Sequence, residues 1–245
     1  MTQLEWITHF GCRYVVHGDD ITSDSSGEDC YRFVKAAGRF RVVKRTPSIS
    51  TTDLVGRMLL CTRGHFIRSL GATLAGSDDG GSENSAIGDD ERRAMRDRIR
   101  LYATDETGLR PGASVYVFEQ TACADEGVGK MDLLVDGKPV REGQRVVYVD
   151  GGFDLFSSGH IEFLKLVVED QKKQARREGW YEPEAVERRL EAVGEDYAPA
   201  FVVAGVHDDL TINRWKGVNY PIMNVFERGL CVLQCRVGSS NYGTL

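Results

Sequence analysis

The chain has no basic excess: 31 Lys and Arg stand against 37 Asp and Glu, giving a net charge of -6 and a pI near 5.5. That balance offers no general electrostatic footprint for a nucleic-acid backbone and serves solubility instead. Long apolar runs are missing too. Nothing approaches the roughly 18 apolar residues of a membrane span, and no charged, apolar and small-residue series marks a secretory leader. The cytoplasm is therefore the expected setting. Cysteine is sparse: Cys12, Cys30, Cys61, Cys123, Cys231 and Cys235 form no C-x2-C pair and are too dilute for a disulfide scaffold. Cys231 and Cys235, four apart on an apolar stretch, read as packed thiols rather than metal ligands. Residues 72–98 have few apolar side chains and are rich in Gly, Ser and charge, the composition of a mobile linker. The tail from Gly238 to Leu245 shows no apolar periodicity, and only about 155 residues look able to fold.

What is present is a strand, a turn and a helix mouth. Arg145-Val-Val-Tyr-Val149 is a β-branched run suited to a buried strand, and from Ile161 to Val168 the pattern turns helical. Between them lie Asp150, Gly151, Gly152, Phe153, Asp154, Ser157, Gly159 and His160. A helix N-terminus presents free N–H groups and partial positive charge to an anion. Gly159 lets a backbone approach closely, and His160 can donate to a phosphoryl oxygen that gains charge during transfer. The alternative is a surface histidine that caps a helix.

Other segments carry weaker signals of the same kind. Cys12 to Ile21 is a strand running into a glycine turn with Asp19 and Asp20, acids that could hold a metal or a ribose hydroxyl or simply face water. A short helix over Tyr31–Gly38, a strand over Arg39–Lys44 and a helix through Leu54–Leu60 follow. Arg45 can fork onto phosphate oxygens, with the hydroxyls of Thr46, Ser50, Thr51 and Thr52 beside it; the same residues also make a good N-cap run for any helix. Strands are expected near residues 113–119 and 131–135, and a charge-rich helical insertion spans Asp170–Tyr197 with Glu187 and Arg188 on a solvated face. Lys216 follows a polar turn, as a mobile charge for phosphates or as a solvated loop lysine. Glu227 and Arg228 belong to a helix whose apolar face is Val225, Leu230, Val232 and Leu233.

Ser157-Ser-Gly-His160 resembles the HxGH signature of the cytidylyltransferase family, and more closely the second repeat of its ethanolamine-phosphate branch. Phe201-Val-Val-Ala-Gly-Val-His-Asp-Asp-Leu210, Trp215-Lys216-Gly217, Tyr220-Pro-Ile-Met-Asn224 and Glu227-Arg228 resemble the strand, lysine loop and Glu-Arg helix that follow HxGH there. Arg45-Thr-Pro-Ser-Ile-Ser-Thr-Thr52 resembles the RTxGIST nucleotide motif. The motif order is inverted, since RTxGIST closes a family domain and here comes first. The resemblance therefore implies a window on a two-repeat enzyme, apparently a fragment. Residues 1–66 would be the closing half of the first domain, 67–144 a partly disordered linker, 145–237 the opening half of the second and 238–245 an off-pattern tail.

The fold implied is a Rossmann-like, doubly wound α/β domain with a parallel sheet and its ligand at the carboxyl ends of the strands. The chemistry implied is attack of phosphoethanolamine on the α-phosphorus of CTP, with Mg²⁺ arriving with the nucleotide and CDP-ethanolamine as product; no protein metal ligands are assigned. His160, Lys216 and Arg45 would be the catalytic groups. Gly151, Gly152, Phe153, Asp154, Ser157, Gly159, Thr46, Ser50, Thr51, Thr52, Glu227 and Arg228 would line the nucleotide. Two departures stand out: Ser157 replaces the first histidine of HxGH, and Ser48 replaces the motif glycine. Activity of this chain is therefore expected to be weak, and a non-catalytic nucleotide-binding module remains an alternative, as do choline-phosphate and glycerol-phosphate substrates. A composite site drawn from both segments is a further alternative. Packing between repeats, or a homodimer, is the expected assembly.

Overall fold

The computed structural model describes residues 4–20, 22–44, 50–77, 87–120, 129–217, 219–235 and 242–244. They form two compact units, divided between Ser50 and Thr51. Residues 51–66, which the resemblance groups with the amino-terminal segment, thus fold with the carboxyl-terminal unit.

The first unit holds helix α1 (Leu4–His9), strand β1 (Val15–His17), helix α2 (Arg32–Ala36) and strand β2 (Phe40–Val42). The two strands pair in parallel, Val15 opposite Phe40. Arg39 stitches the unit internally, donating to Thr8 Oγ1 at 2.8 Å and to the Arg13 carbonyl at 3.2 Å.

The second unit starts with helices α3 (Thr51–Leu60), α4 (Leu70–Ala75) and α5 (Asp89–Tyr102), then strands β3 (Ser114–Gln120), β4 (Gly129–Val135) and β5 (Arg145–Gly151). Helices α6 (Ser158–Arg177) and α7 (Pro183–Val193), strand β6 (Ala200–Val206), helices α8 (Asp209–Lys216) and α9 (Val225–Gln234) and strand β7 (Tyr242–Thr244) complete it. The sheet order is β4-β3-β7-β6-β5. β5, β6, β7 and β3 run parallel, and β4 returns antiparallel along β3. This is the expected α/β architecture with a parallel sheet.

Several details differ from the sequence expectation. The segment 67–144, read as a linker, carries α4, α5, β3 and β4. α5 is mostly charged, with Asp89, Asp90 and Glu91 favourably placed in its first turn. Met95 and Ile99, one turn apart, bury against Ile67, Leu74, Phe226 and Leu230, and that narrow apolar stripe is enough to dock it. Residues 78–86, the most polar part of that segment, lie outside the described residues. β5 is an edge strand rather than a buried one: Val146 and Tyr148 are half exposed, while β6 is buried along most of its length. The tail supplies β7, seated between β3 and β6; a strand this short needs only matching backbone groups on both sides, which no hydrophobic period reveals.

Candidate functional site

The carboxyl ends of β5 and β6 meet where Asp150 is opposite Gly205 and Gly151 opposite Val206. From this edge the chain makes a strained turn. Phe153 and Leu155 hold φ of 50° and 47°, a left-handed conformation costly for side chains with a Cβ. Three contacts impose it. The Phe153 ring is buried with Leu164, Ala204 and Val232. The Asp154 carboxylate between the two strained residues accepts from the backbone N–H of Ile222 and of Met223, both at 2.9 Å. Finally, the Gly152 carbonyl accepts from Arg228 Nη1 at 2.6 Å.

The turn delivers the chain to Ser157, the N-cap of α6. The Ser157 N–H donates to His160 Nδ1 at 3.1 Å. An Nδ1 that accepts carries no proton, so the ring proton sits on Nε2. Phe156 stacks on the imidazole with centroids 5.3 Å apart and 19° between planes. His160 is thus both the capping histidine of one reading and a fixed donor of the other. At Gly159 an added Cβ would meet, among the described residues, Ser157 Oγ at 3.7 Å, an ordinary contact that does not demand glycine.

On the β6 side, the His207 ring lies 3.5 Å from the Asp150 carboxylate and 5.8 Å, edge to face, from Trp215. Neither Asp150 nor His207 was assigned a role from sequence. Asp150 is the penultimate residue of β5 and His207 directly follows β6, and the rule that ligands bind beyond strand carboxyl ends at adjacent parallel strands would have flagged them. Lys216 ends α8, exposed, with Nζ 6.0 Å from the Tyr220 ring centroid. Its loop is braced by Asn213 Nδ2, which donates to the carbonyls of Gly217 (2.8 Å) and Tyr220 (2.7 Å).

The Glu-Arg pair has an inward task. Arg228 is fully buried and donates to the carbonyls of Met223, Gly152 and His207 and to Asp209 Oδ1, at 2.6–2.9 Å. Asp209, also fully buried, accepts from the Ile67 N–H at 2.8 Å. Burial raises its pKa to about 6, against the pull of Ile67 and Arg228. Glu227 accepts both arms of Arg57, at 2.8 and 3.1 Å, and caps α9 through the Asn224 N–H. Glu227, Arg228 and Asp154, expected from the resemblance to line the nucleotide, are each bonded to protein partners here, Asp154 to the N–H groups of Ile222 and Met223, Glu227 to Arg57 and Arg228 to Asp209 and three carbonyls. Thr51 and Thr52 are exposed in the first turn of α3, and Ser50 precedes them. Arg45 and Thr46 lie outside the described residues. Among the described residues no three His, Cys, Asp or Glu side chains cluster as a metal site, and no helix is long and apolar enough to cross a membrane.

No family model matches the chain. It is similar to the ethanolamine-phosphate cytidylyltransferase of Mus musculus, 36% identical over 243 residues covering 96% of this chain and 50% of the relative. The enzyme of the same description from Dictyostelium discoideum is 33% identical over 232 residues, 95% of this chain and 49% of the relative. Choline-phosphate cytidylyltransferase 2 of Arabidopsis thaliana matches over only 128 residues, 51% of this chain, at 33% identity. The chain spans about half the length of the ethanolamine-phosphate relatives, along nearly all of its own, so similarity is not confined to the 155 or so residues of the recognised motifs. The fragment reading draws no support from this.

Proposed function

We propose, from the premise that this chain shares ancestry with the ethanolamine-phosphate cytidylyltransferases across the half of their length it spans, that its β5–α6 edge is a nucleotidyl-transfer site. A phosphate oxygen of phosphoethanolamine attacks the α-phosphorus of CTP, the bond to the bridging β-phosphate oxygen breaks, and pyrophosphate leaves. Mg²⁺ travels on the triphosphate and neutralises its charge. The protein positions the reactants and stabilises charge. His160 is held by Ser157 with its donor on Nε2; the α6 N-terminus adds N–H groups, and Lys216 adds a mobile cation. Asp150, half exposed at the end of β5, supplies a carboxylate of the right sign for the ammonium of phosphoethanolamine.

The observation that carries this reading is the Ser157 N–H to His160 Nδ1 bond, which fixes the tautomer that phosphate requires. Calorimetric titration of the chain with CTP and Mg²⁺, then a turnover assay with phosphoethanolamine and with phosphocholine, tests it. Micromolar binding with product favouring the ethanolamine substrate is expected; a folded chain that binds no CTP refutes it.

Ser157 itself favours a second reading. Its hydroxyl lies 3.3 Å from His160 Nδ1, where family enzymes place an imidazole. Losing such a donor costs about 10² to 10³ in rate, so binding with negligible turnover would mark a non-catalytic nucleotide module.

A further inference from the structure

The backbone of residues 221–224 is held group by group, and by side chains rather than by regular structure. The Pro221 carbonyl accepts from His65 Nε2 at 2.8 Å. The Ile222 N–H goes to Asp154, and the Ile222 carbonyl accepts from Arg57 Nη1 at 3.0 Å. The Met223 N–H goes to Asp154, the Met223 carbonyl to Arg228 and the Asn224 N–H to Glu227. Six successive polar groups are thus satisfied by three segments: residues 57–65, the β5–α6 turn, and the first turn of α9. Satisfying a loop so completely from outside fixes its conformation, because releasing any one bond leaves a half-buried polar group unpaired.

Two of those six bonds come from residues 57–65, whose partners lie 156 and 165 positions away. Arg57 is 11% exposed and forks onto Glu227, itself 6% exposed. Burial opposes the Arg57 charge, but Glu227 and Asp53 outweigh it and hold the guanidinium firmly protonated. Further along the same segment, the Ile67 N–H is bonded to Asp209, which pairs with Arg228. Asp154 grips the segment from the other side, and Asp154 belongs to the strained turn that leads to His160.

We infer that Arg57 and His65 are positioning residues of the nucleotide site, which is assembled as one composite from residues 51–67 and 150–228 and closed by a helix that precedes it in the chain. This deepens the nucleotide reading above and rests on it. α3 acts on the β5–α6 turn through residues 221–224 and Asp154.

The test uses the full chain with R57A, R57K, E227Q and H65Q, and R145A as control, since the Arg145 side chain pairs with exposed Glu178, remote from residues 221–224. CTP affinity with Mg²⁺ is measured by calorimetry and amide exchange by mass spectrometry. R57A is expected to weaken CTP binding ten- to hundredfold and to speed exchange in both 221–224 and 152–157. R57K, which keeps charge without the fork, should recover part of the loss, and R145A should change neither readout. If R57A does not fold, R57K and E227Q, which retains an acceptor for the Asn224 N–H, carry the comparison. Affinity within twofold of the parent, with faster exchange confined to α3, overturns the inference. If the parent chain itself binds no CTP, the nucleotide reading fails, and exchange at 152–157 in R57A alone decides the coupling: faster upholds it, unchanged overturns it.

Discussion

The helix mouth at Ser157–His160 and the hub at Pro221–Arg228 lie on the same edge of one sheet and use polar residues in opposite ways. At the mouth, Ser157 and Gly159 are exposed and the His160 ring is bonded through Nδ1, to the Ser157 N–H and hydroxyl, while Nε2 has no bond among the described residues and can meet a partner from outside. At the hub, Arg228 and Asp209 are wholly buried and Glu227 nearly so, with their charges spent on protein groups. The difference separates two meanings of a charged motif. A group that is to meet substrate must keep an atom uncommitted. A group that preorganises a site must commit all of them, because preorganisation means the bonds are made before the ligand arrives.

The sharpest way to break this contrast is R228M. Removing one partner of the buried pair strands Asp209, and a loss of about 3–5 kcal/mol is expected, read as a fall of roughly 10 °C or more in thermal midpoint. H160A should do the reverse. Transfer or binding should suffer by about 10² to 10³ in rate, while denaturant unfolding moves by less than about 1 kcal/mol, the scale of a lost cap. Comparable destabilisation by both variants would erase the distinction.

S157H probes the mouth from the other direction. Restoring a second imidazole should raise phosphoethanolamine turnover about tenfold or more, at about 1 kcal/mol of stability for the lost serine cap; no gain in rate would place the impairment elsewhere. The smallest effect concerns His65. Burial lowers its pKa below 6.5 in the folded chain. The unfolded chain therefore takes up the proton first as pH falls. Stability from this group is complete above the unfolded value and is lost as pH drops through the folded one. H65Q, which can still donate to the Pro221 carbonyl, should show a shallower decline of stability between pH 7 and pH 5 than the parent chain.

Much of the architecture was legible locally. β3, β4 and α6 fall where apolar runs and helical spacing put them, β6 falls where the resemblance put a strand, and α6 starts at the helix mouth read between Asp150 and His160. α5 was missed because its apolar contribution is a stripe of Met95 and Ile99 within a charged sequence, and β7 because a three-residue strand has no period. The site was legible where chemistry is local: Ser157, Gly159 and His160 form one contiguous turn. Asp154, Glu227 and Arg228 carry the right chemical types for phosphate or nucleotide contact. Only burial reveals that their partners are the carbonyls of Gly152 and His207 and the N–H groups of Ile222 and Met223.

By itself the sequence determined an α/β chain with parallel strands and a helix mouth with a histidine in its first turn, because strand period, helix period and capping act over a few neighbouring residues. Tertiary structure alone decided that α3 joins α9 rather than the segment it follows, and that the Glu-Arg pair faces inward. Those choices rest on single bonds across as many as 170 residues, and a hydrogen bond between a side chain and a distant carbonyl leaves no periodic trace in the order of the amino acids.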